Sequence, residues 1–165
     1  KAQFGALHGL LHNASILGEM KPLSQQKTAT LEQILKVNLV SQFALTKALL
    51  GVMDEAEDAS LIFTSSGVGR KSRAYWGGYA ISKFATEGLM QTWADELGTT
   101  SEIRTNSLNP GATQTAMRRQ AYPGEDPTRN PTAEEIMPAY LFLMGADSIG
   151  VNGQALNAQR PKSLS

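Results

Sequence analysis

The chain has 165 residues, 41% hydrophobic and 18% charged, enough for one domain with a proper core, and this composition excludes wholesale disorder. Fifteen basic and fifteen acidic residues cancel, so no basic surplus recommends a nucleic acid or an anionic membrane as partner. With no cysteine, disulfides and thiolate metal sites are excluded.

Apolar runs then alternate with helical patterns. "GALHGLLHN" (5–13) reads as a buried strand and its exit. His8 and His12 lie four apart, a spacing that could hold a metal on a helix, but on a strand it gives no metal site. Residues 28–56 place Leu31, Ile34, Leu35, Leu39, Phe43, Leu49, Val52 and Met53 close to a helical period. "SLIFTSS" (60–66) is a strand apolar enough to be buried on both faces. Residues 76–98 form a second long helix, with Gly98 as its stop. "IRTNSLNPG" (103–111) is a third strand, ended by Asn-Pro-Gly.

Residues 116–131 are polar, contain three prolines and read as a mobile surface segment. "TAEEIMPAYLFLMG" (132–145) is a helix with Thr132 as N-cap and Glu135 at the capping-box spacing. "NGQALNAQ" closes with a turn and a short strand. No repeat or linker is visible, so residues 1–165 read as a single domain. No apolar run reaches the roughly 18 residues of a membrane span. No signal peptide pattern is visible, and a cytoplasmic location with no membrane or nucleic-acid partner is expected.

This alternation predicts an α/β fold with a mostly parallel sheet. Ligands bind beyond the carboxyl ends of such strands. Here those ends read "HNAS", "TSS" and "NPG", and all three would converge on one rim. The helix carrying Tyr79 and Lys83 starts beside it. Those two residues, four apart, share one helix face. A nearby ammonium stabilises a phenolate, so Lys83 would bring Tyr79 towards a useful proton exchanger. Ser66 could hold the same reacting oxygen. The spacing alone is weak, because a chain with four tyrosines and eight lysines matches it readily by chance. Ser65 and Ser66 could merely end a strand, and Asn38 could merely back-bond within its helix.

In their order along the chain, five stretches resemble the short-chain dehydrogenase/reductase family: "HNAS" (12–15), "KVNLVSQF" with Asn38, "IFTSS" with Ser66, "YAISK" with Tyr79 and Lys83, and "NPGATQT" (109–115). Within it, "GRKSRAYWGGYAISKFATEGLMQTWADEL" looks most like the bacterial YciK-like branch. The resemblance implies the C-terminal two-thirds of a Rossmann-like, doubly wound parallel sheet, about four strands with flanking helices. It also implies an oxidoreductase interconverting a carbonyl and an alcohol with NAD or NADP.

Tyr79 would be the general acid/base, and Lys83 would lower its pKa and bind the nicotinamide ribose. Ser66 would position the substrate oxygen, and Asn38 would hold a water linking Lys83 to solvent. Asn13, Ala14, Pro110, Gly111, Thr113 and Thr115 would contact the cofactor. Ser15 stands where the family usually has glycine, and would crowd that contact or alter the turn.

Arg118, Arg119 and Tyr122 would belong to a substrate lid, and either Tyr75 and Trp76 line the cleft or they only pack. Residues 28–56 and 76–98, with Phe43 and Trp93, would form a homo-oligomer interface or else face their own sheet. The family's Gly-rich first half has no counterpart in these residues, so strand 5–13 would have one open edge and the chain would associate or be marginally stable. The alternative to an enzyme is a non-catalytic module acting in association or assembly.

Overall fold

A computed structural model describes residues 3–159, so the ends of the expected 1–165 domain lie outside the described residues. Four strands form one sheet in the order β1 (Gly9–His12), β2 (Ala59–Thr64), β3 (Ile103–Asn109) and β4 (Ala155–Asn157), with every neighbouring pair parallel. Parallel neighbours need crossovers. Helices α1 (Thr28–Leu35) and α2 (Ser41–Met53) connect β1 to β2, α3 (Gly77–Leu97) connects β2 to β3, and α4 (Ala116–Ala121) and α5 (Ala133–Met144) lead to β4.

All six residues of β2 are buried, and the two-residue period divides them between two layers. Leu61 and Phe63 pack with Met53, Met90, Ala94 and Ile103 on the α2–α3 side. Ile62 packs with Leu108, Ile136, Tyr140 and Leu143 on the α5 side. Each such buried side chain contributes about 1.5–3 kcal/mol. Helices on both faces make this the expected doubly wound, Rossmann-like sheet.

The strand expected over 5–13 contracts to Gly9–His12 because its partner begins only at Ala59, which leaves the earlier residues nothing to pair with. Among the described residues β2 is the sole neighbour of β1, whose other edge is open. The helix expected over 28–56 ends at Met53 and is interrupted by a π turn, Lys36–Val40, centred on Asn38. Such π turns frequently mark functional sites. Residues 116–131, expected as a mobile surface segment, contain α4 and a 3₁₀ turn, Pro127–Arg129. The capping box at Thr132 and Glu135 is present as expected.

One expectation is corrected. Thr28–Met53 runs as a continuous helix of 26 residues, long and apolar enough by length and composition to cross a membrane. Its buried residues nevertheless include Asn38, Gln42 and Thr46, a polar stripe suited to a protein neighbour. Thr46 Oγ1 lies 2.7 Å from His12 Nε2 on β1, and Asn38 bonds to Ile16 just beyond it. His12 also stacks on Phe63, with ring centroids 4.9 Å apart. It is thus a core histidine, and burial lowers its pKa to about 4. The opposite side of this helix and the face of α3 next to it leave Val40, Phe43, Ile81 and Phe84 exposed. Phe43 stacks on Trp93 at 6.2 Å, so Trp93 packs inward and Phe43 stays half-exposed.

Candidate active site

Because the strands are parallel, His12, Thr64 and Asn109 end on one rim, and a cleft of about 950 Å³ opens there. Asn13, Ala14 and Ser15 form one wall, Ser66 and Tyr79 the floor, and Pro110, Gly111, Thr113 and Thr115 the opposite wall. Lys83 and Asn38, both almost fully buried, stand behind this lining.

Tyr79 lies in the first turn of α3 and packs with Leu17, Val68 and Ala80. Ser66 and Ser15 line the same cleft as Tyr79. One turn on, Lys83 Nζ donates to the Thr64 carbonyl at 2.8 Å and lies 5.5 Å from the Tyr79 ring centroid. The 65–69 connection can lie against Lys83 because residue 69 is glycine: a Cβ there would come within 2.7 Å of Lys83 Cβ.

Burial lowers Lys83 to about 8, with the Glu87 carboxylate opposing the shift. Burial also pushes the Tyr79 phenol above its usual value, against the hydrogen bonds from Ser66 and Ser15 and with help from Tyr140. The expectation that Lys83 makes Tyr79 acidic is therefore corrected for this arrangement. Desolvation of a phenol in an apolar cluster sets the direction, and Lys83, itself desolvated, is not among the groups opposing it.

The Asn38 side chain is spent on protein partners. Its Oδ1 accepts from Ile16 N at 2.8 Å, while its Nδ2 donates to Ile16 O at 2.9 Å and to Ser82 Oγ at 2.9 Å. It thereby ties the Asn13–Ser15 wall to the helix that carries Tyr79. Of the serine pair, Ser65 turns its hydroxyl to Glu87, donating to Oε1 at 2.5 Å. Ser107 donates to the other carboxylate oxygen at 2.7 Å, and Arg70 Nε to Oε1 at 3.0 Å. Ser65 is thus structural, while Ser66 lines the cleft beside Tyr79.

The turn after β3 depends on Gly111, whose φ of +75° favours glycine. Gln159 Nε2 pins it, donating to the carbonyls of Pro110 and Ala112 at 2.8 Å each. Thr113 is buried, and Thr115 caps α4 by accepting from Arg118 N at 3.1 Å. Trp76 lines the cleft between Tyr79 and Tyr122, with centroids 5.8 and 5.9 Å away. Tyr75 does not line it; it is exposed and adopts the strained φ of +73°. Arg118 is not free to draw in an anionic group. It donates to both Glu125 oxygens at 2.6 Å and stacks over Tyr122 at 3.9 Å. Arg119 is exposed.

Sequence reasoning missed three contributors. Tyr140 reaches the cleft from α5, its hydroxyl 3.2 Å from Thr64 Oγ1. Gln159 acts from 47 or more residues away in sequence, which no local pattern reveals. Ser15 was expected to crowd the cofactor or alter the turn; its φ is not positive and it lines the cleft with Tyr79.

Comparison with known proteins agrees with this architecture. A family model described as short chain dehydrogenase matches residues 1–126. The uncharacterized oxidoreductase YciK of Escherichia coli (strain K12) is 49% identical over 153 residues, 93% of this chain and 60% of that protein. A short chain dehydrogenase structure from Pseudomonas syringae superposes with a TM-score of 0.94 at 60% identity, covering 96% of this chain and 64% of its own. A structure from Shigella flexneri 2a, solved in complex with NADP, superposes with a TM-score of 0.93 at 46% identity, covering 96% and 66%. The chain thus spans about 60% of the length of that E. coli relative.

Proposed function

The chain belongs to the short-chain dehydrogenase family, and from that membership we propose that it carries the proton-transfer half of an NADP-dependent oxidoreductase interconverting a carbonyl and an alcohol. The observation carrying this reading is that Ser66 and Tyr79 line one cleft beyond the strand ends, with the Lys83 amine buried behind them 5.5 Å from the Tyr79 ring centroid. The donor set suits a polyhydroxylated ribose. Lys83 has three N–H donors, of which Thr64 takes one, and the phenol lies beside it. Asn13 and Ala14 would flank the cofactor on one side, the backbone of Pro110, Gly111 and Thr113 would face its carboxamide, and Thr115 would lie near its phosphates. The complex of the Shigella relative favours NADP over NAD.

A bound nicotinamide supplies the hydride in one direction and accepts it in the other. For reduction, Ser66 donates a hydrogen bond to the substrate carbonyl oxygen, and Tyr79 gives that oxygen its proton as the carbon gains hydride. The product is an alcohol and the residue left behind is a phenolate. Oxidation reverses each step. Lys83 then stabilises the phenolate, because a charge formed in a desolvated site is worth more there than in water.

A cytoplasmic location and a homo-oligomer joined through the exposed Val40, Phe43, Ile81 and Phe84 face belong to the same reading. Phe84→Asp should sediment as a smaller species than the parent. The open edge of β1 favours a second reading, a module that keeps the fold for association and does not turn over.

Titration with NADPH and NADH, followed by NADPH oxidation against a panel of aldehydes and ketones, separates the two. NADPH binding with carbonyl-dependent oxidation is expected. No binding of either nucleotide by the intact protein would overturn the enzyme.

A further inference from the structure

The cleft has a charge bias. Among the described residues its lining holds three cationic side chains, Lys71, Arg73 and Arg118, and no carboxylate. Over the whole chain, by contrast, acidic and basic residues balance. Arg118 is neutralised by Glu125. Lys71 and Arg73 are exposed, and no hydrogen bond or ion pair engages either side chain among the described residues. Unpaired cations at the edge of a cleft with low-dielectric walls focus their field on an anion.

Both cations lie on the connection between Ser66 and Tyr79, at the reacting end of the cleft. Lys71 N donates to the Gly67 carbonyl at 3.0 Å, and the Arg73 carbonyl accepts from Trp76 N at 3.3 Å. Beside them Arg70 is anchored to Glu87 and to the Leu156 carbonyl. The main chain of this arm is thus held, while its two cationic side chains are left for solvent or a ligand. The surface next to them is apolar. Trp76 and Tyr122 sit with ring centroids 5.9 Å apart, and Trp76 and Met117 pack against the Tyr79 cluster. Ile136 and Met137 line the cleft from α5.

We propose that the carbonyl substrate is an oxo acid with an apolar, ring-bearing body, which lies along Trp76 and Tyr122 and sends its carboxylate to Lys71 and Arg73. This deepens the dehydrogenase reading and rests on it. The carboxylate makes and breaks no bond: the ketone carbon gains the hydride and its oxygen the Tyr79 proton, as above. A guanidinium offers a carboxylate a planar fork of donors, and an ammonium adds a point charge. A neutral ring-bearing ketone would cover the same apolar surface and leave both cations unpaired. NADPH is itself anionic, so the nucleotide is the rival occupant of the pair. In the reading above its carboxamide falls to the Pro110–Thr113 turn and its phosphates to Thr115, not to this arm.

The test compares two aromatic ketones of similar shape, 4-acetylbenzoate and its neutral methyl ester, on the intact protein. At low salt the parent should reduce the acid with a kcat/KM about tenfold above that of the ester, since each exposed charge pair is worth up to about fivefold. The gap should lie in KM and narrow as salt screens it. In the Lys71→Gln/Arg73→Gln double variant, acid and ester should become equal. NADPH affinity should be the same in the parent and the variant. Calorimetric titration of the two ketones gives the same comparison in Kd, with no turnover needed.

An acid that does not bind, or that binds and reacts no better than its ester in the parent, overturns the inference. So does a preference for the acid that survives in the variant with an unchanged circular dichroism spectrum. A loss of NADPH affinity matching the loss for the acid also overturns it and gives the two cations to the nucleotide. If the double variant does not fold, the salt dependence of the gap in the parent decides. A failed nucleotide titration would remove the dehydrogenase reading and leave the two Kd values to decide on the anion site. Equal reduction of acid and ester would do the reverse, sparing the enzyme and removing the oxo acid.

Discussion

The two walls of the cleft are held in different ways. The Tyr79 side is built on β2 and α3, where Lys83, Ser82, Thr86 and Asn38 are almost completely buried and bonded to one another or to backbone. The wall over 110–131 has short elements, one turn pinned by Gln159 and a surface clasp between Arg118 and Glu125. The first arrangement fixes reacting atoms at a cost in desolvation. The second lies outside the buried core, where a change of shape costs least. On the proposed reading, chemistry would fall to the more buried wall and selectivity to the more exposed one.

The sharpest way to break that division is Tyr79→Phe. It removes one oxygen from the rigid wall and leaves the aromatic contact with Trp76 in place. Turnover should fall about 10²–10⁴-fold, the usual contribution of a general acid or base, while NADPH affinity changes little. Steady-state rates and a binding titration check this; a variant that keeps its turnover would mean that the proton comes from elsewhere.

Lys83→Met comes next. Burial lowers the amine to about 8, from 10.5 when unfolded. Below pH 8 both states carry the charge. Between pH 8 and 10.5 the unfolded chain keeps a proton that the folded one has shed, so stability rises with pH across that window. The full rise is about 3 kcal/mol and is lost again as pH falls through 8. Methionine has similar length and no charge, so urea titrations between pH 8 and 10 should show a flatter profile in the variant. Parallel profiles would mean that the amine is well solvated.

How much of this was readable in the sequence follows the same division. Ser66, Tyr79 and Lys83 could be found because a strand end and a helix face lie close together in the chain and have strict periods. The fold class followed from the alternation of apolar runs. Asn38 was found, but its bonds to Ile16 were not, since they join residues 22 positions apart. The phenol's upward shift was missed because burial in the Leu17, Val68 and Ala80 cluster is a tertiary fact. Residues 116–131 read only as a mobile surface segment because prolines and polar side chains hide the Arg118–Glu125 clasp, which needs the turn to bring its ends together. Gln159 and Tyr140 leave no local trace at all.

The softer wall should give the smallest effect. Glu125 accepts from Arg118 Nε and Nη2 and, through Oε2, from Asn130 Nδ2 at 3.0 Å. Both charged side chains remain about a quarter exposed, so water screens much of the attraction. Glu125→Gln keeps one acceptor oxygen and removes the charge. It frees the guanidinium at the cleft edge while Tyr122 still stacks against Trp76. Losing an ion pair of this kind is worth up to about 1 kcal/mol, or roughly fivefold in an equilibrium. The expected outcome is a change of that size in KM for the carbonyl substrate, with kcat and the pH profile of Tyr79 unmoved. A carboxylate-bearing substrate should gain affinity in this variant, because Arg118 would then have a charge to offer. A drop in kcat as large as that of Tyr79→Phe would show that the two walls act as one unit, and the separation of chemistry from selectivity would have to be abandoned.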